Sequence, residues 1–145
     1  MNLIKEFRKK IIQKQKFFSN KNNDDLIVDL KEKGIINNRI LDSIKKVPRE
    51  LFIDDSFIEF IYENIPLPIA CNQTISQPYV VACMIDCLKL KKTDKVLEIG
   101  TGTGYQTALL AHLCKHVCTI EIFSELYDQA KLNHKKLKLK NISHM

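Results

Sequence analysis

Apolar positions recur at helical spacing through the first half of the chain and change to strand-like runs only in the second. Leu3, Ile4, Phe7, Ile11 and Ile12 fall on one face with Lys and Arg between them, which predicts an amphipathic helix. A second helix is expected from Asp24 or Asp25, carrying Leu26, Ile27 and Leu30, with Gly34 as its stop. A third takes Asn37 as its cap, carries Ile40, Leu41 and Ile44, and ends before Pro48, because proline disfavours helix at Val47.

Next comes the longest uncharged stretch, Asn64 to Ile85. It is long enough to cross a bilayer. Pro66, Pro68 and Pro78, together with Asn72, Gln73, Thr74, Ser76 and Gln77, exclude that, since hydrocarbon tolerates neither. Its lack of charge needs a chemical reason. Pro78 opens a helix whose apolar face holds Val81, Met84, Ile85 and Leu88. Then the period changes. Lys95 to Ile99 reads as a strand buried in a parallel sheet, followed by a helix from about Thr103 to His112 and a strand from Val117 to Glu121. A last helix, capped by Ser124, runs to about Lys138, with Asn141 as its stop, and a third strand should begin at Ile142. This is a βαβα order, so the fold class is α/β with a parallel sheet.

Composition narrows the class. With 145 residues, 45% apolar and 28% charged, the chain suits one compact domain and not a disordered segment. Four Gly, four Pro and five Cys exclude collagen, coiled coil and disulfide miniprotein. An odd cysteine count without a secretory apolar region implies reduced thiols and a cytoplasmic address. The net charge of +6 permits acidic partners but names none. No basic and aromatic residues interleave as a nucleic-acid groove requires, so no nucleic acid and no membrane is expected as a partner.

The informative chemistry lies in Glu98-Ile99-Gly100-Thr101-Gly102-Thr103-Gly104. Three of the four glycines alternate here, at a strand-to-helix turn where backbone must approach a ligand without Cβ interference. The spacing is G-x-G-x-G and not the G-x-G-x-x-G that seats a pyrophosphate. Glu121 closes the next strand, where an acid would hold the two hydroxyls of a ribose. An adenosine-type cofactor without a diphosphate fits both features, and S-adenosylmethionine fits best. Glu98 reads either as a strand-end group capping loop amides or as a contact to the cofactor's amino group, direct or through the loop.

Four segments then carry a specific resemblance: VPRELF (Val47 to Phe52), NIPLPI (Asn64 to Ile69), QTISQPYVVACM (Gln73 to Met84) and VLEIGTGTGYQTALLAHL (Val96 to Leu113). In order and spacing they resemble the protein-L-isoaspartate O-methyltransferase family, from about Ile35 to Ser143. The resemblance implies the N-terminal part of a Rossmann-like class I methyltransferase fold. Residues 1–77 would form a helical segment with the active-site loop, and residues 78–145 the first βαβα portion of the S-adenosylmethionine-binding domain. It implies methyl transfer to the α-carboxylate of L-isoaspartyl residues in damaged proteins. On the family's pattern Ser76 is the catalytic hydroxyl. Gln73 and Thr74 line the cofactor side, with Glu98, Gly100, Thr101, Gly102, Gly104 and Glu121 completing the cofactor set. The residues alone favour Ser76 as the cap of the Pro78 helix. The family usually has glycine where this chain has Ala70 and Asn72. Positive φ there would strain Ala70 and suit Asn72.

His112, Cys114, His116 and Cys118 alternate, but they straddle a helix end and a strand and should diverge, so no metal is expected. Lys131, His134, Lys135, Lys136, Lys138 and Lys140 read as a solvated basic face. The chain stops where the third strand begins, leaving the family's sheet incomplete. Three readings follow: a methyltransferase portion needing its missing half from a separate chain, an inactive gene fragment, or a noncatalytic basic binding module.

Overall fold

The computed structural model describes residues 21–145. The helix expected over Leu3 to Ile12 lies outside them. Helix α1 (Asn23–Glu32) begins one or two residues earlier than the acidic pair implied. Asn22 is its cap, accepting from the Asp24 and Asp25 amides while the Asp25 carboxylate accepts from the Asn22 amide. Gly34 follows its end at φ +93°. Helix α2 (Asn38–Lys46) starts on Asn37, whose side chain accepts from the Arg39 amide, and ends at extended Val47 before Pro48. Two short 3₁₀ turns, Arg49–Phe52 and Asp55–Phe60, lead into the uncharged stretch.

That stretch folds as a hairpin, β1 (Leu67–Pro68) against β2 (Thr74–Ile75), running directly into helix α3 (Pro78–Cys87). Among the described residues, no helix is long and apolar enough to cross a membrane. The positive φ values fall on Cys71 (+57°) and Asn72 (+54°), not on Ala70. The Gln73 amide bonds the Ala70 carbonyl across them. Both central positions of this tight turn are therefore left-handed, as strand twist demands of a hairpin. Asn72 tolerates that geometry readily, whereas Cys71 carries the strain expected at Ala70.

The second half alternates as expected: β3 (Lys95–Ile99), α4 (Tyr105–Leu113), β4 (His116–Ile120), α5 (Ser124–Lys136) and β5 (Ile142–His144). The three strands pair in parallel with β4 central. Glu121 lies just beyond β4 rather than closing it. Ser124 does not cap α5; Phe123 precedes the helix without a side-chain bond. Asn141 does not stop it either, since the chain leaves the helix at Leu137 and Lys138 takes φ +55°. The Asn141 amide instead donates to the Ala111 carbonyl at 2.9 Å, pinning the approach to β5 under α4.

One buried core runs from Leu26 and Leu30 through Ile44, Phe52 and Val81 to Leu109, Val117 and Leu126. Strand β3 is the exception to the burial expected of it. Leu97 and Ile99 are 61% and 71% exposed, whereas Glu98, between them, is buried. The reason is position: β3 is an edge strand whose outer face has no covering element among the described residues.

Glu98 points into the sheet's covered side. Its carboxylate accepts from Thr107 Oγ1, from Thr119 Oγ1 at 2.7 Å and from Gln106 Nε2 at 3.0 Å. Because the Thr119 hydroxyl spends its proton on Glu98, Thr101 Oγ1 donates in turn to Thr119 Oγ1, 2.7 Å away. Burial pushes the Glu98 carboxyl above the usual range, against these donors. The hub joins β3, β4, α4 and the turn between β3 and α4.

His134 ties the same turn to α5. It is buried and not on the solvated face predicted for it. Its Nε2 stands 2.8 Å from the Gly104 carbonyl, which only accepts, so Nε2 carries the proton. Nδ1 therefore accepts from His144 Nε2 at 2.8 Å. Burial holds His134 below the ordinary histidine range, and the neighbouring His144 pushes the same way. His144 is lowered too, first by burial and then by Lys131.

Two outcomes test this framework. Glu98→Ala, which strands the buried Thr107 and Thr119 hydroxyls and the half-buried Gln106 amide, should cost about 2–4 kcal/mol in urea unfolding, and Glu98→Gln distinctly less. A depressed histidine pKa leaves stability intact above the unfolded value of about 6.5 and removes it as pH falls below. The urea midpoint should therefore drop between pH 7.5 and 5. His134→Gln, which keeps a donor toward Gly104, should make that drop shallower; equal slopes would refute the assignment.

Candidate active site

The turn between β3 and α4 is built from backbone that needs glycine. Gly100, Gly102 and Gly104 take φ of +87°, +58° and +93°. At Gly104 a Cβ would also run into His134 Nε2 and come within 3.2 Å of Ala130 Cβ. The turn is held on several sides. The Gly100 and Thr101 amides bond the Ile120 carbonyl, at 2.8 and 3.2 Å. Glu121 Oε2 accepts from the Gly102 amide at 2.7 Å while Oε1 accepts from the Phe123 amide at 3.1 Å. Asn133 donates to the Thr103 carbonyl at 3.0 Å, one position before the His134 bond to Gly104. Helix α4 then starts on Gly104 with no side-chain cap, so its first amides face outward with their partial positive charge.

Opposite the turn stands the β2–α3 connection. Between them lies a cleft of about 240 Å³. Gly100, Thr101 and Gly102 line one wall, and Thr74 and Ser76 the other, with Ile69, Met84, Ile99, Thr103, Tyr105 and Gln106 filling in. Every lining residue is uncharged, and the neutral stretch from Asn64 to Ile85 supplies much of the wall. Ser76 does not cap α3, whose cap position is Gln77 without a side-chain bond. The Ser76 hydroxyl is exposed and makes no hydrogen bond within the described residues, while its carbonyl accepts from Arg49 Nη2 at 3.2 Å. Thr103 Oγ1 and Tyr105 Oη are buried beside the cleft without partners among the described residues. Unpaired neutral hydrogen-bonding groups in such a site are what a polar ligand without metal or phosphate needs.

Thus Thr74, Ser76, Gly100, Thr101 and Gly102 share one cleft. Four other candidates stand outside its lining. Gln73 is exposed in the hairpin turn, its amide donating to the Cys71 carbonyl. Glu98 is the buried hub beneath Gln106, and Gly104 is covered by His134. Glu121 sits behind the loop, bound to the Gly102 amide, with lone pairs left to accept further donors. Sequence reasoning missed Tyr105, Gln106, Arg49 and His134. The first two directly follow the glycine turn, which is a usable signal. Arg49 lies within the VPRELF segment, and His134 carries no local signal at all. Of the alternating His and Cys residues, His116 bonds Ser143 and Cys114 donates to the His116 carbonyl. Among the described residues no three His, Cys, Asp or Glu side chains converge on a metal position.

Comparison with known proteins agrees with the geometry. Residues 20–145 match the family described as protein-L-isoaspartate(D-aspartate) O-methyltransferase. Proteins named protein-L-isoaspartate O-methyltransferase from Yersinia pestis (strain Pestoides F) and Yersinia pseudotuberculosis serotype O:1b (strain IP 31758) are each 51% identical over 124 residues. That alignment covers 86% of this chain and 60% of each relative, so the chain spans about 60% of the length of the relatives it matches. A solved protein-L-isoaspartate O-methyltransferase superposes with a TM-score of 0.77 at 28% identity, over 86% of this chain and 41% of that one. A Plasmodium falciparum structure described as a putative protein-L-isoaspartate O-methyltransferase in complex with S-adenosyl-L-homocysteine gives a TM-score of 0.74 at 25% identity. It is covered to 63% and covers 87% of this chain. On its family match, its identity to these relatives and its Rossmann-like α/β fold, this chain belongs to the protein-L-isoaspartate(D-aspartate) O-methyltransferase family.

Proposed function

We propose that this chain is the cofactor-binding and Ser76-bearing portion of an S-adenosylmethionine-dependent methyltransferase acting on the α-carboxylate of L-isoaspartyl residues in proteins. One observation carries the reading: the glycine turn and the unpartnered Ser76 hydroxyl face each other across a single neutral cleft. The cofactor's contribution is a sulfonium-activated methyl group. Glu121, beside the Gly102 amide, supports a ribose position, because a carboxylate accepts from two adjacent hydroxyls as well as from an amide. Thr101 and Gly102 bring backbone close to that position, and the Thr103 hydroxyl is free to pair. Glu98 serves such a site from behind, by orienting Gln106.

For the acceptor, Ser76 donates its hydroxyl proton to the substrate carboxylate and holds one oxygen toward the methyl donor. A carboxylate is ionised at neutral pH and is already a nucleophile, so Ser76 removes no proton. Alignment of oxygen and methyl carbon supplies the rate advantage. The neutral lining suits this work, since a fixed carboxylate would repel the acceptor and a fixed cation the sulfonium.

We further propose that this polypeptide alone transfers no methyl group. The outer face of β3, with Leu97 and Ile99 exposed, supports a need for further strands or a separate chain to complete the cleft.

Calorimetric titration with S-adenosylhomocysteine should show saturable binding with Kd on the order of micromolar. Gly102→Val, strained at φ +58°, and Glu121→Ala should each weaken it at least about tenfold. No saturation in the folded chain would refute the cofactor reading. Radiolabel transfer to an isoaspartyl peptide should be absent for this polypeptide. It should appear when the remaining portion of a relative is supplied as a second chain, and be lost in Ser76→Ala. Robust transfer by the polypeptide alone would overturn the need for a complement.

A further inference from the structure

Arg49 is wholly buried, yet among the described residues no carboxylate pairs with it. Nε donates to the Ile61 carbonyl at 2.9 Å, and Nη2 to the Ser76 carbonyl at 3.2 Å. Nη1 is buried without a partner, as is Tyr105 Oη. The guanidinium lies over the Tyr105 ring, 4.9 Å from its centroid. The neighbouring acids are engaged elsewhere: Glu50 accepts from the Tyr62 hydroxyl and Glu63 pairs with Lys21. Burial lowers the Arg49 pKa, opposed only by the tyrosines, but a guanidinium remains charged. Because Ser76 and Tyr105 both line the cleft, this charge stands one residue behind its wall. A buried cation without a counter-charge is costly to keep, and low-dielectric walls focus its field into the adjoining cleft.

We propose that Arg49 is a positioning residue whose un-neutralised guanidinium fixes the Ser76 carbonyl and makes the cleft favour a carboxylate at the Ser76 hydroxyl. This rests on the reading of Ser76 as the group that receives the isoaspartyl α-carboxylate. The cation attracts that anion from behind neutral side chains, so it neither competes for the Ser76 hydroxyl nor meets the sulfonium directly.

The field is measurable without turnover. In a Ser76→Cys chain, alkylation at position 76 by anionic iodoacetate and by neutral iodoacetamide is followed by peptide mass spectrometry. The rate ratio is compared with that of the neutral thiol N-acetylcysteinamide in the same buffer. A unit charge at this remove should raise the ratio about threefold or more. Adding Arg49→Lys, which keeps the charge, should preserve the rise. Adding Arg49→Met should abolish it in chains whose circular dichroism shows them folded. A ratio at position 76 equal to that of the free thiol overturns the proposal without any Arg49 variant needing to fold. So does a folded Arg49→Met chain that keeps the rise. A raised ratio at position 76, together with no methylation of isoaspartyl peptides by the complemented chain that keeps Ser76, would sink the functional reading and leave the field intact.

Discussion

The turn between β3 and α4 keeps an unusual backbone path because groups from β4 and α5 take up most of its polar atoms. Three glycines take positive φ, the Gly100 and Thr101 amides bond the Ile120 carbonyl, and α4 begins without a side-chain cap. Glu121 holds the Gly102 amide, and Asn133 and His134, adjacent on α5, take the Thr103 and Gly104 carbonyls. Gly100, Thr101 and Gly102 of the turn line the cleft. The helix that follows β4 thus sets the shape of a loop that precedes it, and the His134 to His144 bond extends the dependence to β5. A loop braced this way is pre-organised, so a ligand need not supply the energy to order it.

Charge is arranged in depth. The cleft wall is neutral throughout, while Glu98 lies beneath Gln106 and Arg49 behind Ser76 and Tyr105. In a partly buried site a charge one layer back still shapes the potential, yet it does not occupy the hydrogen-bonding positions that a ligand needs. The neutral stretch from Asn64 to Ile85 is therefore one feature of a site whose charges are held in the layer behind.

The sheet carries an inversion of the usual order. On β3 the apolar Leu97 and Ile99 are exposed and the acidic Glu98 is buried. The buried acid is accounted for by its three donors. The exposed pair lies on an edge strand, where a covering layer would add stability.

Periodicity and glycine spacing were enough to determine the alternation of strands and helices and the glycine turn, because those signals depend on neighbours in the chain, whereas the opposing QTIS segment was legible only through the family resemblance. Helix starts shifted by a residue or two: α1 is capped by Asn22 and begins before Asp24, and α5 begins on Ser124, which was expected as its cap, after Phe123, which makes no side-chain cap bond. Strain fell on Cys71 and not on Ala70 because the hairpin register decides which positions occupy the turn. His134, read as part of a basic surface, is buried because Gly104, thirty positions earlier, leaves room for its ring. Arg49 likewise acquires its place from Ile61, Ser76 and Tyr105, none of them local. Sequence alone determined the class of fold and the two segments that face the cleft. Only the tertiary structure decided which polar groups are satisfied and which are left for a ligand, because hydrogen-bond pairing depends on distances that chain spacing does not encode.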